Sequence, residues 1–505
     1  MASSDSAGAR GLWAAHLPPG VGPDNIDLAP AANLTARMVG HWRREPTQVF
    51  LADVDGRSLT GAELDDATAR AAGRLAGLGL NAGDRVLCSC DATLELAIAH
   101  LAALRLGLTV VPTNTAYRAA ELAHIVSDAK PVLAIVDDRE RAGWLREASA
   151  DLTVLGPDLA VPDSVVPNLD EATLASVGLL AYTSGTTGRP KGALLSHANL
   201  LASAEAVRLA WRWTAEDRLF LCLPLFHVHG LGVGLHGSLV AGASVLLSPR
   251  FEPDAVLDTA EAGRATMFFG VPTMYHRLAA SPRADALARL RLVVSGSAPL
   301  PTTVQQAIER ASGARVLERY GMTETLMLVS NPYVGERRAG TVGLPLPGVE
   351  VKLDPVNSEV LVKGPNVFAG YLGRPQADVE SFTEDGFFHT GDAGVYDEAG
   401  YLILVARLKE LIISGGYNVY PREVEDALRE HPAVLDAAVI GVADPEWGEA
   451  VTAFCETDGS VSGEALVAFV GDRLARYKRP KRIILMDSLP RNAMGKVLKT
   501  ELARE

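Results

Sequence analysis

Tyr182 to Gly192 reads YTSGTTGRPKG and follows the apolar run Val177-Gly178-Leu179-Leu180-Ala181. The pattern predicts a buried strand running into a loop of hydroxyls and glycines. Glycine lets a backbone turn sharply and approach a ligand closely, here at Gly185 and Gly188. Thr183, Ser184, Thr186 and Thr187 add hydroxyl donors, and Lys191 adds a positive charge. Donors clustered with a cation after a strand suit a polyphosphate. A Ser/Thr/Gly run taken alone is more often a plain connection. A P-loop needs Gly directly before its Lys and Ser or Thr after it. Pro190 precedes Lys191 and Gly192 follows it, so that template fails.

The rest of the chain limits the setting of this loop. Its 505 residues exceed what one core supports and predict roughly two to four domains. The 48% apolar and 21% charged composition is that of a globular protein. No apolar run reaches the 18 or so residues of a membrane span. A net charge of −14 argues against nucleic acid as the main partner. Cys88 and Cys90 lack the spacing of a zinc pair, and Cys222 and Cys455 stand alone. Free thiols fit a reducing, cytoplasmic setting. Residues 1–32, rich in Ala, Ser, Gly and Pro, lack the form of a secretory signal and are expected to be poorly ordered.

Periodicity predicts alternating elements. Thr60 and Glu63 form a capping box ahead of Leu64, Ala67, Ala71, Leu75 and Leu78 at helical spacing. Strands are expected near 85–90, 109–111, 131–137, 219–223, 290–295 and 315–318, with helices at 94–106 and from Ser196 onward. Such alternation favours parallel sheets flanked by helices. After Pro345, Gly-Pro and Asp-Gly punctuation separates short β-rich runs. Beyond Arg407 a compact unit of about a hundred residues has its own apolar pattern. The expected fold class is α/β. A large N-terminal domain of mixed and parallel sheets with a small β region spans 1–406, and a small mobile α+β domain spans 407–505.

A second chemical segment is Glu318-Arg319-Tyr320-Gly321-Met322-Thr323-Glu324, placed at a strand end where open α/β sheets bind ligands. An aromatic ring suits a nucleobase, Thr323 suits a phosphate, and a carboxylate at Glu324 suits magnesium, which prefers oxygen ligands. Taken alone, the segment is a turn with one solvated acid.

Together the two segments resemble the phosphate-binding loop and the YGxTE motif of the adenylate-forming enzymes: acyl-CoA synthetases, luciferases and peptide-synthetase adenylation domains. Other motifs follow in the same order. Ser295-Gly296-Ser297-Ala298-Pro299 resembles the adenine-side loop, and Thr390-Gly391-Asp392 the motif whose Asp holds the ribose. Arg407-Leu408-Lys409 resembles the joining segment, with Arg407 near the ribose and Lys409 as hinge; Ala406 stands where many members have Gly. Ser414-Gly415-Gly416-Tyr417 resembles the loop lining the CoA pantetheine tunnel. Pro490 to Lys496 resembles the catalytic-lysine motif, whereas Lys499 reads as a solvated lysine. The resemblance runs from about residue 45 to the end.

It implies ATP, magnesium and CoA as cofactor and co-substrates. The nucleotide would meet Thr183–Gly188, Lys191, Ser297, Ala298, Pro299, Glu318, Arg319, Tyr320, Gly321, Asp392 and Arg407, with Glu324 and Thr186 beside the metal. The catalytic set would be Lys496, Thr323, Glu324 and His227. A carboxylate attacking the α-phosphate would give an acyl-adenylate, from which a thiol displaces AMP. That transfer needs charge stabilisation above all, and a long-stemmed ammonium such as Lys496 supplies it from a mobile domain.

The acid is read from other residues. His227 in Phe226-His227-Val228-His229 stands where the family keeps a gate to the acyl pocket. Gly270 to Leu278 (GVPTMYHRL) carries Arg277 where fatty-acyl relatives have an apolar tunnel. A buried Arg needs a partner, and a second substrate carboxylate would be one. This segment, Asn114–Tyr117 and Met322–Met327 resemble the malonyl-CoA synthetases. The resemblance implies malonate, with methylmalonate also tolerated, and Arg277, His227, Ser295 and Met327 on the substrate side. A medium- or long-chain fatty-acyl-CoA synthetase and an enzyme loading a separate carrier protein remain alternatives. The basic run Arg476–Arg482 suits CoA phosphates or a solvated face equally.

Overall fold

The computed structural model describes residues 11–26, 28, 32–183, 190–414, 417–445, 447–492 and 495–503. The capping box forms as the sequence dictates: the Thr60 side chain caps the Glu63 amide, and Glu63 returns to the Thr60 amide, starting helix Gly61–Gly77. Ser196 and Asn199 do the same for helix His197–Ala210.

Two sheets carry the large N-terminal part. Six strands run parallel in a nine-stranded sheet, in the order Val316–Met322, Leu292–Ser295, Met267–Gly270, Arg218–Leu221, Ser244–Leu247 and Val49–Asp53. Antiparallel strands close both edges, with Leu326–Ser330 and Leu344–Pro345 on one side and Ser58–Thr60 on the other. A six-stranded sheet holds Arg85–Ser89, Thr109–Pro112 and Val177–Thr183 among its parallel strands. One continuous apolar core draws on both sheets and buries helix Leu94–Arg105 between them. Strands with little alternation in polarity are what such two-sided burial requires.

A four-stranded antiparallel sheet follows, built from Glu350–Leu353, Glu359–Lys363, Phe388–Tyr396 and Leu402–Arg407. The chain then makes one turn of 3-10 helix, Leu408–Glu410, and enters a further sheet with its own core. That sheet contains Ile412–Ser414, Tyr417–Val419, Val434–Asp444, Gly448–Thr457 and Arg482–Met486, covered by helices Pro421–Arg429 and Gly463–Gly471. All four cysteines are buried and free. No helix among the described residues is long and apolar enough to cross a membrane.

Three expectations change. The strand expected at 315–318 continues to Met322 and pairs with Leu326–Ser330, so Tyr320 and Gly321 lie within it. The loop after Thr183 belongs to a hairpin: Lys191–Ser196 runs antiparallel to Val177–Thr183. The N-terminal lead-in is tied down where it is described. The Trp13 indole donates to the Val349 carbonyl at 3.0 Å, and His16 is wholly buried against Leu344.

Candidate functional site

A cavity of about 490 Å³ lies where the C-terminal sheet and helix Pro421–Arg429 meet the end of the nine-stranded sheet. Ser297, Ala298, Pro299, Tyr320 and Gly321 line it from the large sheet, Asp392 and Arg407 from the four-stranded sheet, and Lys496 from the C-terminal unit. Residues nearly two hundred apart in sequence therefore share one space.

Asp392 is the polar centre of this wall. Its Oδ2 accepts a hydrogen bond from the Tyr320 hydroxyl at 2.5 Å, and its Oδ1 faces the Arg407 guanidinium at 2.8 Å. Arg407 also donates to the Thr390 carbonyl at 3.1 Å. Burial raises the Asp392 pKa, with Arg407 and Tyr320 opposing it. Lys496 opens to solvent through the cavity, yet surrounding protein desolvates it and lowers its pKa, and Arg407 adds repulsion. Its loop reaches the nine-stranded sheet's side of the cavity at Gly495. That residue has φ +73°, and a Cβ there would stand 2.8 Å from Thr273 Oγ1. Only glycine combines that backbone with that approach.

Residues 184–189, holding Ser184, Gly185, Thr186, Thr187 and Gly188, lie outside the described residues, as do Gly415 and Gly416. The flanks of the first loop are described. Thr183 pairs with Lys191 across the hairpin, and Lys191 Nζ sits over the Tyr371 ring at 5.2 Å. The Tyr371 hydroxyl donates to Glu324 Oε1 at 3.0 Å, and Thr183 also hydrogen-bonds that carboxylate. Burial raises the Glu324 pKa, so the site favours an added positive charge. An oxygen donor set of this kind fits magnesium, which takes much of its coordination from substrate phosphates. No cage of three or more His, Cys, Asp or Glu residues exists among the described residues. Thr323 lies half-buried in the turn leading to Glu324.

Arg319 departs from the sequence expectation. Side chains alternate along an extended strand. Glu318 and Tyr320 share one face of Val316–Met322, and Arg319 points to the other. Its guanidinium packs where a Cβ of Gly296 would stand, 2.3 Å from Cζ. Arg319 is only 5% exposed, and its Nε and Nη2 have no partner among the described residues. Burial pulls its pKa down to about 9. The same positive charge helps burial depress His227 to about 4 and His229 further. His229 Nδ1 meets Ser297 Oγ at 3.1 Å, while its Nε2 is buried with no partner among the described residues. A charged donor and a neutral imidazole thus converge beside the Gly296–Ser297 turn. Arg319 lines the same cavity as Tyr320 and Ser297 but from the opposite face of the strand, and strand alternation was the signal that could have shown it.

Other substrate-side expectations shift as well. Arg277 is exposed on helix Pro272–Ala279 and lies over the Phe251 ring at 5.0 Å. The buried, unpaired Arg inferred at that position is not there; Arg277 is exposed and lines the cavity together with Thr273 and His276. Ser295 stands in register with Glu318, on the face away from Arg319, and Met327 is core, packed on Gly321. Glu318 uses Oε1 to accept from the Leu300 amide at 2.9 Å, which braces the 295–299 turn, and burial lifts its pKa to about 7. Lys409 is exposed in the single turn joining two sheets. Lys499 is no solvated lysine: its Nζ lies 2.7 Å from Glu425 and 3.2 Å from Glu410. In the basic run, Lys478 is paired with Glu423 at 2.6 Å, and Lys481 covers the Trp447 ring.

Known proteins place this geometry. A family model described as AMP-binding enzyme matches residues 40–372, and a model of the AMP-binding enzyme C-terminal domain matches 423–496. A feruloyl-CoA synthase of Amycolatopsis sp is 39% identical over 472 residues, covering 89% of this chain and 94% of that protein. A malonate–CoA ligase of Arabidopsis thaliana is 37% identical over 479 residues, covering 85% and 79%. The crystal structure of ATP-bound MatB from Rhodopseudomonas palustris superposes with a TM-score of 0.88 at 38% identity, covering 94% of this chain and 98% of that one. The chain belongs to the AMP-binding, adenylate-forming enzyme family.

Proposed function

We propose that this enzyme is an acid–CoA ligase that converts malonate, ATP and CoA into malonyl-CoA, AMP and diphosphate through a malonyl-adenylate. The observation that carries the choice of acid is Arg319, a buried guanidinium with two nitrogens lacking partners among the described residues. An isolated buried charge is costly, and a dicarboxylate supplies a counter-charge in the geometry Arg binds best. The Arabidopsis relative is named for malonate and the Amycolatopsis relative for a feruloyl product. A guanidinium packed onto Gly296 narrows the pocket and disfavours an apolar or bulky aromatic tail.

The acid's far carboxylate pairs with Arg319, with His229 Nε2 alongside as a neutral group. The near carboxylate then points out toward Lys496. The nucleotide lies with its base against Ser297–Pro299 and Tyr320 and its ribose hydroxyls at Asp392, an acceptor positioned by Arg407. Magnesium held at Glu324 with Thr183 and Thr186 would neutralise phosphate charge. Lys496 bridges the attacking carboxylate and the α-phosphate, where negative charge concentrates in the transition state. Thr323 donates to a phosphate oxygen. Residues 407–505 act as a lid turning about Lys409, which removes Lys496 and brings Gly415 and Gly416 to the acyl-adenylate for CoA. Free cysteines support a reducing, cytoplasmic setting.

Pyrophosphate release with malonate, ferulate and octanoate tests the reading. Malonate should give the highest kcat/KM. Equal or better use of octanoate or ferulate refutes it.

A further inference from the structure

The catalytic-lysine segment is a tight loop whose two ends are tied down differently. At its start, Arg491 pairs with Asp436 on strand Val434–Asp444 and donates to the Gly495 carbonyl at 3.0 Å. The Asn492 amide donates to the Lys496 carbonyl at 2.9 Å, and the Leu498 amide to the Pro490 carbonyl at 2.8 Å. These bonds close the loop upon itself. At its far end stands Lys499, 23% exposed, between two carboxylates from separate elements. Glu425 belongs to helix Pro421–Arg429 and is itself fixed, accepting the Val439 amide at 2.9 Å. Glu410 belongs to the joining turn, one residue after Lys409.

We propose that Lys499 is a positioning residue that locks the catalytic-lysine loop to the hinge turn through Glu410 and to the lid helix through Glu425. The inference rests on the assignment of Lys496 to adenylate formation. Glu410 lines the same cavity as Lys496 and attracts both lysines, so the hinge turn and the loop are electrostatically linked. Burial disfavours the Lys499 charge, yet the two acids more than offset it and raise its pKa. The ammonium therefore stays charged and paired through the enzyme's working range. Without it, Lys496 would keep its chemistry and lose its place. Lys496 is needed in the first half-reaction and is moved away in the second, so the two should respond unequally.

The test measures both half-reactions in Lys499→Met, Lys499→Arg and Lys496→Ala enzymes. Adenylation is read by ATP–pyrophosphate exchange, and thioester formation by supplying a chemically prepared acyl-adenylate with CoA. Lys499→Met should lower adenylation kcat by about 10- to 100-fold, the scale of a small misplacement. Its thioester step should stay close to that of the parent, and its melting temperature should fall because Glu425 and Glu410 lose their counter-charge. Lys499→Arg should restore both adenylation and melting temperature. Equal loss in both half-reactions, loss that Arg does not restore, or no loss at all overturns the clamp. Lys496→Ala separates the two ideas. If it still forms adenylate, the role of Lys496 fails. If it does not, and Lys499→Met behaves as the parent, only the clamp fails.

Discussion

Replacing Arg319 by methionine keeps an unbranched apolar stem and removes the guanidinium charge, which isolates the contribution of the acid's second carboxylate. The fall of the Arg319 pKa from its ordinary value to about 9 means that holding the bare cation in place costs on the order of 5 kcal/mol. A bound dicarboxylate offsets much of that cost, and breaking a buried ion pair typically costs about 3–5 kcal/mol. At about 1.4 kcal/mol per factor of ten, kcat/KM for malonate should fall by roughly 10²- to 10⁴-fold. Propionate and butyrate have no second carboxylate, so their use should hold steady or improve. Without ligand the variant should melt higher than the parent, because an unpartnered buried charge is gone, and malonate should no longer raise that melting temperature. Pyrophosphate release and thermal shift with the three acids measure all of this. Equal losses for malonate and propionate would refute the reasoning. So would a variant that keeps malonate while Arg277→Ala loses it, which would return the acid contact to Arg277.

Gly495→Ala places a methyl against Thr273 and strains a left-handed residue. Adenylation should drop by tenfold or more, about 1.4 kcal/mol in the barrier, and thioester formation from supplied adenylate should persist; parallel loss in both steps would argue for misfolding. Glu318→Gln tests a buried acid whose folded pKa, about 7, lies above its ordinary value. The parent's Glu318 is neutral and harmless below the ordinary carboxylate range, and it costs stability as pH rises through about 7. The variant's melting temperature should therefore gain on the parent's between pH 5 and 8, by an amount reflecting on the order of 3 kcal/mol, and a constant difference across that range would contradict it. His227, held near 4, stays neutral above pH 5. His227→Asn should accordingly leave the shape of the malonate kcat/KM profile unchanged between pH 5.5 and 7, and loss of a limb near the ordinary imidazole pKa would show that it titrates there.

The ordered motifs carried the family, the α/β class and most of the nucleotide wall, because those features depend on local sequence: a capping box, a Gly-rich turn, a period-two strand. They also placed Asp392, Arg407 and Lys496 in one mechanism before their proximity was visible. What local sequence could not supply was direction and company. Arg277 and Arg319 are both arginines in motif context, and only the packing of Gly296 against β-strand Val316–Met322 decides which guanidinium is buried. Lys499 resembles any C-terminal lysine until the fold brings Glu410 and Glu425 to it across 89 and 74 residues of chain. A charge's cost and its partners are properties of the three-dimensional neighbourhood, since desolvation and Coulomb attraction depend on distance through space and not along the chain.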